Sequence, residues 1–513
     1  MRHIKKLASL LLVLVMVFAL ATTAFAEETT YSITINNSTA GHTYEAYQIF
    51  TGDLATNEAG NKVLSNIVWG PGVSEAGQTA LGDAAAKAET LKTEADAKAF
   101  AKAVAPYLAT AAGSANTVTD GKYVISGLAA GYYLVKDQDG SLTGDNDSYT
   151  EYIIQVVGNV TATPKSDVPE VEKKVKDTND STGVTSDWQD SADYDIGDSV
   201  PFQLKATLAD NVSSYTTYKV VFHDTLSKGL TYNNDAKVYI DGTETNGFTV
   251  TATVNADGTT TLTVSCDDVK ALGAGNSSVI TVEYTAKLNE NAVLGSAGNP
   301  NEVYLEYSNN PNKSEEGNNE TGETPKDVVI VFTYKTIINK VDSETKPLTG
   351  AAFKLEKLIK GEDGAADTWT TVKEFAVDGT TTSFTFSGLD DGQYKLTETK
   401  TPVGYNTIDP IYFVIEATHG ETADVPTLKT LNAYLTDANG NKQTEMKDGE
   451  SVNIDLGTVD LTAGSITTTV VNKSGSELPS TGGIGTTIFY VLGGVLVLAA
   501  VVLLVTKKRM GNN

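Results

Sequence analysis

Short runs in which apolar or β-branched residues alternate with polar ones make up most of this chain, and turn residues such as Asn-Gly and Asp-Gly separate them. The segment VYIDGTETNGFTVTATVNADGTTTLTVS is typical. Successive side chains of a strand point to opposite faces, so a period of two predicts strands that are buried on one face and joined by hairpins. The pattern predicts a mainly β protein built from tandem immunoglobulin-like β-sandwiches.

One segment departs from this period. Residues 74–115 are rich in Ala, Lys and Glu, and Phe100, Val104 and Leu108 recur at every fourth position. This spacing gives a helix one apolar face. It predicts a helical insertion in the first domain that packs on the strands.

Both ends of the chain carry longer apolar stretches. Basic residues precede the first stretch, Leu7 to Leu20, and the small residues of Ala24-Phe25-Ala26 follow it, which is typical of a secretory signal peptide over residues 1–26. The second stretch, residues 484–505, is long enough to span a bilayer as a transmembrane helix, and basic residues in 506–513 predict a cytoplasmic tail. The exported part therefore begins near residue 27.

The charge balance narrows the classes of partner. The chain has 65 acidic and 38 basic residues and a net charge of −27, which argues against nucleic acid and anionic lipid as partners.

Cys266 is the single cysteine, and its parity with Leu262 and Val264 predicts a buried side chain. The sequence has no phosphate loop and no Cys/His cluster, so it predicts no cofactor, no metal site and no enzyme active site.

Two proline-containing boundaries divide the exported part. The segment 163–169, TPKSDVP, separates one apolar strand from the next, and the polar, acidic segment 309–326 cannot bury apolar area. The predicted domains are an N-terminal domain over 27–163, a middle domain over 167–312 and a third domain over 328–474.

A pentapeptide stands directly before the C-terminal apolar stretch: Leu478, Pro479, Ser480, Thr481 and Gly482. Together with the apolar span and the basic tail, it resembles the LPXTG sorting signals that sortases of Gram-positive bacteria recognise. The resemblance implies cleavage between Thr481 and Gly482 and covalent transfer of the threonine to an amine.

The remaining motifs resemble, in order, those of backbone (major) pilins of sortase-assembled Gram-positive pili. The first domain contains YSITINNSTAGHTYEAYQIFTG and GLAAGYYLVKD, and the middle domain contains VVFHDTLSKGLTY and GNPNEVYLEYSNN. The third domain contains INKVDSETKPLTGAAFKLEK and YKLTETKTPVGY, which resemble Cna B-type domains. The resemblance covers the whole chain and implies a structural subunit whose middle and third domains form internal isopeptide bonds.

Three polar residues of the third domain, Lys340, Glu398 and Asn472, share strand parity with apolar neighbours and so point into the core. Burial lowers the pKa of a lysine and raises that of a glutamate, which leaves a neutral amine beside a protonated acid. The amine can then attack the asparagine carboxamide and expel ammonia. The Cna B resemblance implies this isopeptide bond between Lys340 and Asn472, with Glu398 as the catalytic acid.

The middle domain repeats this pattern with other residues. Lys173, Asp224 and Asn301 each share a face with apolar neighbours on their strands, which predicts a bond between Lys173 and Asn301 assisted by Asp224. Parity does not exclude two competing asparagines, Asn299 and Asn309. Each predicted bond would join the first strand of its domain to the last and close a loop of about 130 residues, which removes about 5 kcal/mol of unfolded-state freedom.

The first domain does not carry such a set. Asn36 and Asn37 stand where a lysine is expected, and parity with Tyr133 and Val135 selects Asp137 at the position of the acid. No internal bond is predicted there.

A polymer also needs an amine that accepts the threonine. In backbone pilins this lysine lies in a YPK-type motif at the end of the first domain, and Lys165 in VVGNVTATPKSD occupies that place, with Thr163 in place of the tyrosine. Lys326, which also lies in a TPK sequence, is the rival acceptor. A third reading makes Lys165 a solvated linker lysine without a role.

The leading interpretation is a shaft subunit of a covalent surface pilus. A pilus-specific sortase would join Thr481 to a lysine of the next copy, and a housekeeping sortase would fix the polymer to peptidoglycan. Partners implied are these sortases, further copies of the chain and peptidoglycan, with minor pilins or host ligands left open. The alternative is a monomeric wall-anchored adhesin.

Overall fold

A computed structural model describes residues 30–475 except 59, 61, 151, 157–158, 165, 316, 362–363 and 444–453. The predicted signal peptide, sorting motif, apolar C-terminal stretch and basic tail lie outside the described residues, and so does Lys165. Among the residues that are described, no helix combines the length and the apolar character needed to cross a membrane. The mainly β prediction is confirmed.

In the first domain a sheet of order β5-β1-β8 packs on a sheet of order β3-β2-β6-β7, in which β4 also pairs with β2. The strands are β1 (Tyr31–Asn36), β2 (Tyr44–Thr56), β3 (Lys62–Trp69), β4 (Gly113–Ala115), β5 (Lys122–Leu128), β6 (Tyr132–Asp137), β7 (Ile153–Val156) and β8 (Val160–Ala162). Every residue of β6 is buried. The reason is that the other sheet covers one face of β6 and the helical segment covers the other.

The predicted helical insertion is present and divided into α1 (Glu75–Leu81), α2 (Ala84–Thr90) and α3 (Glu94–Val104). Ser74, Asp83 and Thr93 cap their N termini and satisfy backbone donors that a helix start leaves free. Phe100 and Val104 are buried as predicted, and the Phe100 ring stacks on Phe50 of β2 at 5.4 Å. The insertion is therefore part of the first core.

In the middle domain a sheet of order β12-β25-β21-β14-β19-β18 packs on one of order β17-β16-β20-β13-β9. The strands are β9 (Glu170–Val175), β10 (Thr178–Asn179), β11 (Val184–Thr185), β12 (Ser191–Asp193), β13 (Ser199–Thr207), β14 (Val220–Leu226), β15 (Leu230–Tyr232), β16 (Lys237–Ile240), β17 (Thr243–Thr245), β18 (Thr249–Val254), β19 (Thr260–Cys266), β20 (Val279–Leu288), β21 (Asn299–Ser308), β22 (Ser314–Glu315), β23 (Asn318–Asn319), β24 (Thr321–Glu323) and β25 (Asp327–Phe332). Cys266 is buried, as predicted.

The predicted boundary between the middle and third domains does not follow the sheets. Strand β25 pairs antiparallel with β21 and parallel with β12, so the middle domain extends to Phe332. The segment predicted as a linker, residues 309–326, contains β22, β23 and β24 and buries Asn309 and Asn310. Polar groups of this segment form hydrogen bonds, for example from Tyr149 N of the first domain to the Asn309 carbonyl at 2.7 Å. A polar composition was therefore not evidence of a linker.

In the third domain a sheet of order β29-β26-β34-β33 packs on one of order β28-β27-β30-β31-β32. The strands are β26 (Tyr334–Asp342), β27 (Ala352–Ile359), β28 (Thr368–Glu374), β29 (Ser383–Leu389), β30 (Gly392–Lys400), β31 (Ile411–His419), β32 (Leu428–Thr436), β33 (Ile454–Asp460) and β34 (Ser465–Asn472). The first and last strands, β26 and β34, lie side by side and parallel.

Candidate functional site

The middle domain buries an amine, an acid and a carboxamide in one core. Lys173 projects from β9 in one sheet, while Asp224 and Asn301 project from the adjacent strands β14 and β21 of the other sheet. All three side chains are fully buried. Lys173 Nζ donates to Asp224 Oδ1 at 2.6 Å. The structure thus brings the three predicted residues of this domain together.

A fourth residue, Tyr284 of β20, joins this set and was not predicted. Its hydroxyl donates to Asp224 Oδ2. It accepts from Asn301 Nδ2 at 2.7 Å and from Lys173 Nζ at 3.2 Å. The sequence contained a signal for it, because Tyr284 shares strand parity with the buried Val282 and a buried tyrosine hydroxyl needs a partner.

The surroundings of this set favour its neutral form. Burial lowers the pKa of Lys173, although the Asp224 carboxylate opposes the shift. Burial also raises the pKa of Asp224, against the effect of the lysine. The ring faces of Phe202 and Tyr284, whose centres lie 5.3 and 5.5 Å from the amine, also attract an ammonium, but burial is the larger effect on this pKa. A proton can therefore pass from amine to acid, which leaves the amine free to act as a nucleophile.

The competing residues of the middle domain have other contacts. Asn299 Oδ1 accepts from Val293 N at 2.8 Å, and its amide donates to backbone carbonyls. Asn309 Nδ2 donates to Asp147 of the first domain at 3.3 Å. Asn301 and Asn309 each have a buried Oδ1 without a hydrogen-bond partner among the described residues. Asn301 Nδ2, however, donates to the Tyr284 hydroxyl, which contacts Lys173 and Asp224. These contacts favour Asn301 as the partner of Lys173.

The third domain contains the second buried set. Asn472 Nδ2 donates to both carboxylate oxygens of Glu398, at 3.0 and 3.1 Å. Lys340 is opposite Val470 in the β26–β34 pair, two residues along β34 from Asn472. Its amine donates to the carbonyls of Val341 and Val470 at 3.3 and 3.1 Å. Lys340 and Asn472 therefore face the same part of the core from neighbouring strands.

The amine of Lys340 is also prepared for nucleophilic attack. Burial lowers its pKa to about 8, although the nearby Glu398 charge opposes the shift. The Asn472 Oδ1 atom, like that of Asn301, is buried without a hydrogen-bond partner in the described part of the chain. An unpartnered buried acceptor is uncommon in a folded domain, and both domains place one on the carboxamide that the lysine would attack.

In the first domain, Asp137 lies in a different setting. Its carboxylate contacts His42 Nδ1 at 2.7 Å and accepts from Thr150 N at 2.6 Å. The neighbouring Lys136 forms an ion pair with Asp139 at 2.9 Å. These contacts join β6 to two loops.

Family models match parts of the middle and third domains and the C-terminal region. Residues 196–311 match the model of the Gram-positive pilin backbone subunit 2, Cna-B-like domain. Residues 335–429 match the prealbumin-like fold domain of the SpaA family, and residues 470–510 match the LPXTG cell wall anchor motif. These matches confirm the resemblance to Gram-positive backbone pilins. The chain is a cell-wall-anchored subunit of a surface pilus, and the structural-subunit interpretation is confirmed.

This chain is similar in sequence to one known surface protein and in fold to one solved pilin structure. The chain is 26% identical over 459 residues to the trypsin-resistant surface T6 protein of Streptococcus pyogenes serotype M6. The aligned region covers 76% of this chain and 77% of that protein. The fold of the chain is similar to that of the T6 backbone pilin of serotype M6 Streptococcus pyogenes, with a TM-score of 0.56 at 18% identity, over 88% of this chain and 100% of that one.

The structure describes one of the two candidate acceptor lysines of the pilin. Lys326 is exposed, and its Nζ donates to Glu302 Oε1 at 2.7 Å. This hydrogen bond raises the pKa of Lys326, which disfavours the neutral amine that a transpeptidation needs. Lys165 lies outside the described residues, but its neighbour Thr163 is exposed at the end of the first domain.

Another buried lysine, Lys357 of β27, has the opposite electrostatic setting. It lies where the middle and third domains meet, and its Nζ donates to Asp180 and Asp195 of the middle domain and to Asp390 of its own. Burial works against its charge, but these three carboxylates raise its pKa well above the ordinary value. Lys357 is therefore held as an ammonium ion. Lys357 was not among the predicted buried residues, although its strand parity with Phe353 is a sequence signal for burial.

The carboxylates around Lys357 outnumber this single cation. Two groups could hold a metal ion by the spacing of their ligand atoms: Asp177, Asp193 and His419, and Asp180, Asp195, Asp198 and Asp390. The Lys357 ammonium supplies the positive charge in the second group. Burial and neighbouring carboxylates raise the pKa of Asp198 to about 6, and the same causes raise that of Asp391 to about 6.

These shifts predict a pH-dependent role for Lys357. An acid whose pKa is raised by folding contributes stability below its unfolded pKa and loses it as the pH rises through about 6. Lys357→Met should lower the free energy of unfolding by about 3–5 kcal/mol at pH 8, because it leaves buried carboxylates without a cation. The loss should be smaller at pH 5, where more of them are protonated. Denaturant titrations at both pH values measure the difference.

The matched control for this prediction is Lys354→Met. Lys354 lies on the same strand and pairs with Glu356 at 2.9 Å, with its side chain 27% exposed. Its loss should change stability by less than about 1 kcal/mol at either pH. An equal effect of Lys357→Met at pH 5 and pH 8 would contradict the electrostatic role.

Proposed function

We propose that this pilin is a shaft subunit that cross-links its own middle and third domains and is then polymerised through its sorting signal. The bonds are Lys173–Asn301, assisted by Asp224, and Lys340–Asn472, assisted by Glu398. One observation supports this proposal most strongly: the middle domain and the third domain each bury a lysine of lowered pKa with an acid and an asparagine.

The chemistry proceeds in the same way in both domains. The neutral lysine Nζ attacks the asparagine Cγ, the carbonyl oxygen takes the electron pair, and the tetrahedral intermediate collapses with loss of the amide nitrogen. The proton released by the attacking nitrogen passes to the leaving nitrogen, so the products are a secondary amide and ammonia. The buried acid mediates this proton transfer. The reaction occurs once per domain and needs no cofactor.

The two bonds would carry load differently. In the third domain the bond ties β26 to β34, the first and last strands among the described residues. In the middle domain β25 follows β21, so a bond at Asn301 does not include the last strand. The expectation that both bonds join first and last strands is therefore wrong for the middle domain, where hydrogen bonds to β21 and β12 retain β25.

Polymerisation requires the sorting signal of one copy and an amine of the next. Cleavage between Thr481 and Gly482 by a pilus-specific sortase would produce an acyl intermediate, which Lys165 of the next copy would attack. A housekeeping sortase would join the last threonine to peptidoglycan. Lys326 is the less suitable acceptor because its pKa is raised by the hydrogen bond with Glu302.

Mass spectrometry tests the internal bonds. The mature chain, extracted from a sortase-deficient strain, should be lighter than its sequence by about 34 Da, because each bond releases one ammonia of about 17 Da. Tryptic digestion should yield the peptide of Lys173 joined to that of Asn301, and the peptide of Lys340 joined to that of Asn472. A chain with its full sequence mass would contradict the proposal.

A further inference from the structure

The acid of the middle domain does not contact the group that must leave. Asp224 Oδ1 contacts the lysine Nζ, while the Asn301 amide nitrogen donates to Tyr284 Oη at 2.7 Å. In the third domain, by contrast, the acid Glu398 contacts the amide nitrogen of Asn472 directly at 3.0 Å. An aspartate side chain is one methylene shorter than a glutamate, and Tyr284 fills the resulting gap.

The hydrogen bonds around Tyr284 form a continuous chain. It runs from Lys173 Nζ to Asp224 Oδ1 at 2.6 Å, across the carboxyl group to Oδ2, from Oδ2 to Tyr284 Oη, and from Oη to Asn301 Nδ2. Every side chain in it is buried. Its two ends are the nitrogen that must lose a proton and the nitrogen that must gain one.

We propose that Tyr284 is a catalytic residue of the middle domain that relays the proton from Asp224 to the leaving amide nitrogen of Asn301. This inference rests on the proposed function, because it assumes that the Lys173–Asn301 bond forms. Attack of Nζ on Cγ makes Nδ2 a basic amine in the tetrahedral intermediate, and the Tyr284 hydroxyl turns from Asp224 Oδ2, to which it donates at rest, to donate to Nδ2. The neutral acid then carries its proton on Oδ2. As the Nζ proton passes to Asp224 Oδ1, the carboxyl proton on Oδ2 moves to Tyr284 Oη. The tyrosine proton moves at the same time to Nδ2, and the Cγ–Nδ2 bond breaks to release ammonia. Tyr284 and Asp224 end in the protonation states in which they began.

Burial and the Asp224 charge raise the pKa of Tyr284 well above its ordinary value. The hydroxyl therefore keeps its proton at rest and releases one only as it receives another. A tyrosine that passes a proton in this way never becomes a free phenolate. The role is thus compatible with a fully buried site.

The relay is tested by the rate of bond formation in the full chain. Cell-free synthesis of the full chain is sampled over time, and tryptic digestion measures the fraction of each joined peptide. In Tyr284→Phe the Lys173–Asn301 peptide should form about 100-fold more slowly, which is the usual size of a general acid–base contribution. The Lys340–Asn472 peptide of the same chain should form at the unchanged rate and serves as an internal control.

Two further variants separate catalysis from packing. Tyr232 packs edge-on against Tyr284 at 5.6 Å, and its hydroxyl accepts from Ala236 N, so Tyr232→Phe removes a hydroxyl from the same core without touching the reacting atoms. It should leave both rates unchanged. The double variant Asp224→Glu with Tyr284→Phe should recover at least about tenfold of the lost rate, because a glutamate can reach the amide directly, as Glu398 does.

The outcomes distinguish this proposal from the one on which it rests. Formation of the Lys173–Asn301 peptide at the original rate in Tyr284→Phe would overturn the relay and leave the bond itself established. Equal slowing by Tyr232→Phe, or a double variant no faster than the single one, would also overturn it. If the unaltered chain never forms the peptide, the proposed bond is wrong and the relay falls with it.

Discussion

Replacement of Lys165 by alanine is expected to reduce the pilin from a ladder of high-mass, SDS-resistant species to monomer. Each link in the proposed polymer needs one acceptor amine per copy, and the sorting signal alone can only attach single copies to peptidoglycan. The effect should therefore be all or none. Immunoblots of boiled cell-wall extracts would measure it, with the amount of wall-attached monomer showing that export and anchoring are intact.

Lys326→Ala is the matched control, because it removes the other lysine in a TPK sequence. Lys326 is exposed and paired with Glu302, so its loss should change stability little and leave the ladder unaltered. A ladder that survives Lys165→Ala and disappears in Lys326→Ala would assign the acceptor to the other boundary. Absence of a ladder from the unaltered pilin would contradict polymerisation itself.

Asp224→Ala is expected to abolish the middle-domain bond. Without the acid the buried lysine has no proton acceptor at 2.6 Å, and the chain through Tyr284 is interrupted. The mature chain should fall short of its own sequence mass by about 17 Da instead of about 34 Da, since one ammonia is retained. The middle domain should lose about 5 kcal/mol of stability, because the unfolded state regains the freedom of a loop of about 130 residues. Intact mass and calorimetry measure both effects.

Glu398→Ala provides the reciprocal control. Its carboxylate contacts Asn472 and not the middle-domain set, so its removal should abolish only the Lys340–Asn472 peptide. Each acid variant should therefore lack a different joined peptide. Each should still release one ammonia, from the bond that remains. An Asp224→Ala chain that still forms the Lys173–Asn301 peptide would contradict the assigned role of the acid.

Most of each candidate set could be predicted from the sequence, because parity along a strand is a local property. Lys173 and Lys340 share the faces of apolar neighbours two positions away, and both are fully buried. The same rule places Lys174 on the other face, where it pairs with Asp190. Parity could not decide between Asn299 and Asn301, since both belong to one face of β21. Their contacts, which depend on neighbouring loops and sheets, distinguish them.

The boundary error has a different cause. Residues 309–326 are polar, and composition predicts a linker wherever apolar area is lacking. In the structure, polar groups of this segment form hydrogen bonds with the first domain and within the middle domain instead. Composition measures what a segment can bury and does not show which polar partners other domains supply.

Residue patterns alone predict the β architecture, the helical insertion, the resemblance to backbone pilins, and which lysines, acids and asparagines point into the cores. These follow from residue patterns that repeat every two or four positions, or from contiguous motifs. Three findings required the packed domains: β25 belongs to the middle domain, three carboxylates hold Lys357 as an ion, and Tyr284 lies between Asp224 and Asn301. Each of these depends on the distance between residues far apart in the chain, which the order and packing of the sheets establish.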